Sequence, residues 1–137
     1  MLEVSDLNVA YGATQVLEDV TFSVPEKHIV SLLGGNGSGK TTVLNALVGL
    51  VRPKAGAITF EGKPCVGLTT SQLVKRGIVQ VPQGRELFQT MTVRENLELG
   101  AVTRRDWAGI AGDLEQVYAL FPHLEAKARS WQRSRPM

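Results

Sequence analysis

Residues 34 to 41 read Gly-Gly-Asn-Gly-Ser-Gly-Lys-Thr, and Thr42 follows. Glycine, four residues, then Gly-Lys-Thr is the spacing of a phosphate-binding loop, the Walker A motif. The chemistry lies in the residue types. A polyphosphate packs several negative charges into a small volume, and inward-pointing backbone N–H groups hold it well. Gly34, Gly37 and Gly39 permit the backbone turns that build such a nest. Gly35, Asn36 and Ser38 complete the loop. A helix opening near Gly39 adds the positive end of its dipole. Lys40 reaches the β- and γ-phosphates, and the Thr41 hydroxyl suits Mg²⁺, which takes oxygen ligands.

Such a loop needs a strand before it and a helix after it. Ile29, Val30, Ser31, Leu32 and Leu33 form an apolar run of the kind found in a strand buried on both faces. Leu44, Leu47, Val48 and Val51 fall at i, i+3, i+4 and i+7, one stripe of a helix. Pro53 and Gly56 mark its end. Upstream, Leu2 to Tyr11 and Val16 to Val24 read as two strands of an antiparallel hairpin broken at Gly12-Ala13 and closed by Pro25. Downstream, Ala57 to Phe60 reads as a short strand with a turn at Glu61-Gly62. Thr70 to Arg76 reads as a short helix stopped by Gly77, and Ile78 to Val81 as a strand cut by Pro82. Thr92 with Glu95 has capping-box spacing for a helix reaching Leu99. Asp106 to Phe121 is the last predicted helix, with Leu114, Val117, Tyr118 and Phe121 on one face and Pro122 as its stop.

The 137 residues suffice for one domain with a core. With 43% hydrophobic and 20% charged residues the composition is globular rather than disordered. No apolar stretch reaches the length of a membrane span. The start, Met1-Leu-Glu-Val-Ser-Asp, lacks the basic and apolar regions of a secretion signal, so cytoplasmic residence is expected. The single cysteine, Cys65, cannot form an internal disulfide and has no general base nearby in sequence; a buried thiol is expected, not a nucleophile. The net charge of +2 misleads, because Lys127, Arg129, Arg133 and Arg135 follow the last acid, Glu125, and the body before them is net negative. With aromatics at 6%, no nucleic-acid surface is expected.

Further residues narrow the class. Tyr11 ends the first strand upstream of the loop. Val81-Pro82-Gln83-Gly84 closes the strand that begins at Ile78. The stretches from Gly67 to Ile78, from Gly84 to Ala101 and from Val117 to Pro122 share a finer pattern. From Met1 to about Lys127 the chain resembles the nucleotide-binding subunits of ATP-binding-cassette transporters, and within them the branched-chain amino-acid group with its urea and amide relatives. The resemblance implies an α/β fold: a P-loop NTPase core, an antiparallel β portion and the start of a helical subdomain, incomplete. It implies ATP and Mg²⁺ as ligands, with Tyr11 stacking on adenine, although a half-buried strand aromatic would read the same way. It implies that Gln83 ligates Mg²⁺ beside Thr41 or orients the attacking water. The implied partners are transmembrane permease subunits and a second ATPase subunit. The implied location is the inner face of the cell membrane.

Departures bear on mechanism. The position after the first loop glycine, often Pro or Arg in the family, is Gly35. No Ser-Gly-Gly-Gln-like signature follows the helix ending near Phe121. No run of four apolar residues ends in an acid, as Walker B requires, and His123 precedes the place where a switch histidine could follow. Residues 1–126 therefore read as the N-terminal portion of an ATP-binding domain and 127–137 as a divergent basic tail, as a shifted frame or an early stop would produce. Importer ATPase subunit and non-catalytic ATP-binding fragment both remain open, and turnover by the chain as given is not expected. A kinase or GTPase is the outside reading. It is disfavoured by the missing Asn-Lys-x-Asp motif and by a basic cluster confined to the tail.

Overall fold

A computed structural model describes residues 1–84 and 86–128. The expected tail at 129–137 lies outside the described residues. The chain divides into two compact units, one of residues 1–81 and one beginning at Pro82.

The first unit is built on an antiparallel hairpin, β1 (Leu2–Tyr11) and β2 (Thr14–Val24), in register from Leu2 opposite Val24 to Tyr11 opposite Thr14. β3 (Ala55–Phe60) pairs with the other edge of β1, and β4 (Lys63–Pro64) pairs with β3, giving the order β2-β1-β3-β4. Two helices accompany the sheet, α1 (Lys40–Leu47) and α2 (Thr70–Lys75). Val4, Leu7, Val9, Leu17 and Ile58 of the sheet meet Val43 and Ala46 of α1, Leu73 of α2 and the buried thiol of Cys65 in one core.

The hairpin does not alternate as a regular strand would. Val4 and Leu7 are three apart, yet both are buried. An ideal strand would send them to opposite faces. The register shift at Asp6, with φ of 48°, turns Leu7 back to the core, and Asp19, also at 48°, marks the matching irregularity in β2. Short polar side chains tolerate this left-handed backbone because they bond locally. Here Asp6 N–H donates to Thr21 Oγ1 at 2.9 Å, and Asn8 Nδ2 donates to Asp19 Oδ1 at 2.8 Å. β3 crosses Asp6 so closely that a Cβ on Gly56 (φ 94°) would fall 2.7 Å from Leu7 Cα. Only glycine fits there.

Three expectations need correction. Ile29 to Leu33 is extended but pairs with no strand among the described residues, and Ile29 is 97% and Leu33 89% exposed. Ile78 to Val81 is likewise unpaired, with Val81 93% exposed. A strand buried on both faces needs hydrogen-bonding neighbours and covering layers, and no described segment supplies them. Third, α1 ends at Leu47, and its buried face is Thr42, Val43 and Ala46 rather than the predicted stripe. Leu44, Leu47 and Val48 instead line a groove of about 360 Å³ with Leu2, Phe60 and Val81.

The second unit is helical: α3 (Val93–Leu99), α4 (Trp107–Leu120) and α5 (Pro122–Ala126). α3 starts on the predicted capping box. Thr92 Oγ1 accepts from Glu95 N–H, and the Glu95 carboxylate accepts from Thr92 N–H at 2.7 Å. Asn96 ties the preceding loop to α3, accepting from Phe88 N–H at 3.0 Å and donating to the carbonyls of Phe88, Met91 and Thr92. Arg104 bonds Asp106 and Asp113, fastening the start of α4. Pro122 does stop α4, but it also opens α5, since proline is well suited to the first turn of a helix. Phe121, predicted on the apolar face of α4, is 58% exposed.

Candidate functional site

The predicted phosphate loop is a loop in the structure. It runs into α1 at Gly39, which serves as N-cap with φ 86° and ψ 0°. No side chain caps this helix and no acid stands in its first turn. Its leading N–H groups and dipole are thus left available to an anion. Of the three glycines expected to bend the loop, Gly37 (φ 81°) and Gly39 take left-handed backbone, while Gly34 does not. Gly35 has open space where a Cβ would stand. Asn36 and Ser38 are exposed, and Ser38 N–H closes the turn on the Gly35 carbonyl at 3.3 Å.

Lys40 shows how the loop is held. Its Nζ donates to the carbonyls of Gly34 at 2.7 Å and Gly35 at 2.6 Å, and to Ser38 Oγ at 3.3 Å. All three ammonium donors are directed at the loop itself. The cation therefore stands over the nest, with carbonyls whose place a charged phosphate oxygen would take in a stronger, charge-assisted bond. Thr41 is exposed at the first turn, while Thr42 is buried at 8% exposure beneath it. Thr41 can offer a hydroxyl outward; Thr42 serves the core.

Tyr11 occupies the tip of β1 in the same unit, 49% exposed. The turn beside it is tied down by Lys54, whose N–H donates to Asn8 O at 2.8 Å and whose Nζ donates to Gly12 O at 3.3 Å. Gln83 is exposed and belongs to the second unit. The structure thus places Tyr11 and residues 34–42 in one unit and Gln83 in the other.

Sequence reasoning missed Leu17, which is 4% exposed and packs against the N-cap glycine of the loop. No motif marks such a contact; only the fold brings residue 17 to residue 39. It also left Glu95 as a conceivable acid near the site. The structure removes it: its carboxylate is occupied by Thr92, whose backbone N–H and then hydroxyl hold its pKa below the ordinary 4.5. A carboxylate so stabilised is a poor proton acceptor.

The model of the ABC transporter family matches residues 17–135. The high-affinity branched-chain amino acid transport ATP-binding protein BraG of Pseudomonas aeruginosa is 38% identical over 138 residues, which cover 100% of this chain and 58% of BraG. A solved ATP-binding subunit of an ABC transporter superposes with a TM-score of 0.82 at 32% identity, covering 98% of this chain and 56% of that one. A dimeric ATP-binding cassette solved in a post-hydrolysis state with ADP and Pi superposes at 0.66 with 26% identity, over 77% of this chain and 49% of that one. The chain spans little more than half the length of BraG. Its matching runs from the hairpin through the phosphate loop and into the helical unit, and the chain belongs to the ABC transporter family.

Proposed function

We propose that this chain is the nucleotide-holding part of an importer ATPase subunit, serving branched-chain amino acids or a related small polar solute such as urea or an amide. The observation that carries this is the uncapped N-terminus of α1 with Lys40 poised over its loop. The polyphosphate of ATP lies in the nest of residues 34–39, its oxygens displacing the Gly34 and Gly35 carbonyls from Lys40. The residues fit this ligand: the donor set is N–H groups and one ammonium, with no acid in the first turn. Thr41 would hold Mg²⁺ through its hydroxyl, with Gln83 as a second oxygen ligand. Bound Mg²⁺ would neutralise phosphate charge. Tyr11 offers its ring to adenine. Support for ATP comes from the family and from the relative that carries ADP and Pi. The partners proposed are transmembrane permease subunits and a second ATPase subunit, at the inner face of the membrane.

Within this reading the chain binds ATP without turning it over. The observation favouring this is Glu95, an acid following the glutamine loop, whose carboxylate is committed to capping α3. Competition against a fluorescent ATP analogue tests the ligand class. ATP should displace it far better than free adenosine. Displacement by GTP alone, with ATP inert, would assign the chain to another P-loop class.

A further inference from the structure

We propose that Leu17 is a positioning residue that sets the spacing between the aromatic ring at Tyr11 and the phosphate cradle; this deepens the ATP-binding reading above and rests on it. Leu17 lies in β2 opposite Val9 and is 4% exposed. A Cβ added to Gly39 would fall 2.6 Å from Leu17 Cδ2 and 3.5 Å from the Val16 carbonyl oxygen. The backbone of the loop therefore rests directly on the hairpin at the N-cap of α1, with no side chain between to yield. Val43 N–H bonds the Gly39 carbonyl at 2.9 Å, so the first turn of α1 moves with Gly39. Lys40 and Thr41 are the first two residues of that turn.

The other end of the link is as firm. Tyr11 pairs with Thr14, three residues before Leu17 on the same strand. The Lys54 bond to Gly12 fixes the turn between them. One hairpin thus carries the ring at its tip and the wedge under the cradle. Leu17 itself need not touch ligand. A ligand that bridges two subsites gains from both only when their separation matches its own length. Removing the wedge leaves the donors of the cradle and the face of the ring intact. It loosens only their separation.

The test compares ATP with inorganic triphosphate, which fills the cradle alone. Leu17→Ala should weaken ATP about tenfold while changing triphosphate affinity less than about twofold, the scale expected when contacting groups are coupled. Leu17→Met, nearly equal in volume, should recover most of the ATP affinity. In the Tyr11→Ala background, Leu17→Ala should cost ATP no more than it costs triphosphate, since one subsite is already gone. A merely structural role would weaken both ligands alike in either background. Circular-dichroism melts show whether each variant folds. If Leu17→Ala does not, Leu17→Val provides the smaller truncation, with the same differential expected. Equal losses for ATP and triphosphate in a folded variant, or an ATP loss that adds fully to that of Tyr11→Ala, would overturn the proposal. Wild-type chain that fails to bind ATP, or binds it independently of Lys40, overturns the ATP-binding reading first and this inference with it.

Discussion

Lys40 is bound to the loop that it is expected to serve, through the Gly34 and Gly35 carbonyls. Its charge is thus held in position in advance of any ligand, so little side-chain freedom remains to be lost on binding. The same economy applies at Tyr11, whose strand is already paired and whose ring is half exposed. Tyr11→Ala should therefore weaken ATP by about 1–3 kcal/mol, the scale of base–aromatic stacking, and leave inorganic triphosphate unchanged. Parallel titrations of the two ligands check this; equal losses would make Tyr11 a packing residue. Glycine–lysine spacing in the sequence is enough to find residues 34–42, because each type has one task there. Where Nζ rests is not readable, since it depends on how the loop folds back over six residues. Leu17 was invisible for the same reason: its role depends on a contact across the fold with Gly39.

Helix starts were legible where a local rule governs them. Thr92 and Glu95 form the predicted box, and Thr69 with Gln72 forms a second that was not foreseen. Thr92→Ala should cost about 1 kcal/mol, read as a lower melting midpoint. Glu95 adds a pH dependence. Its carboxyl is held below 4.5 in the folded chain, so the stabilisation is fully present above that value. It is lost as pH falls from there through the depressed folded value. Circular dichroism during acidification should show α3 weakening only below 4.5, and Glu95→Gln should lack that component of the response. An identical acid profile for both would show that the cap carries no titrating stability. Strands were less legible than helices. An apolar run such as Ile29 to Leu33 fits a buried strand, but pairing is a property of two segments and the run specifies only one. The hairpin was read correctly in outline, while its irregularities at Asp6 and Asp19 broke the alternation that a pattern search relies on. Pro122 was read as a stop and is also a start, because the rule that bars proline from a helix interior favours it in the first turn.

At the scale of the whole chain, two apolar segments stand out. Ile29 and Val81 are nearly fully exposed and neither segment has a strand partner among the described residues. Contiguous apolar surface with free backbone donors attracts other chains. The purified 137-residue chain should therefore bind a hydrophobic dye and self-associate on sizing, and the Ile29→Lys, Val81→Lys double variant should do both less. A monodisperse monomer without dye binding would mean that these segments are covered. ATP turnover by the same chain should stay near background, because the sequence places no acid at the end of an apolar strand and Glu95 is committed elsewhere. A Lys40-dependent rate of about 1 s⁻¹, within the usual range for enzymes, would reverse that view. The central claim is that the loop at 34–42 holds the polyphosphate of ATP through Lys40. Calorimetric titration of Mg·ATP into wild type and Lys40→Ala, at one salt concentration, tests it most directly. Wild type should bind saturably at one site, and Lys40→Ala should lose about 1.5–3 kcal/mol, the scale of a hydrogen bond to a charged group. Equal affinity in the two proteins would contradict the account.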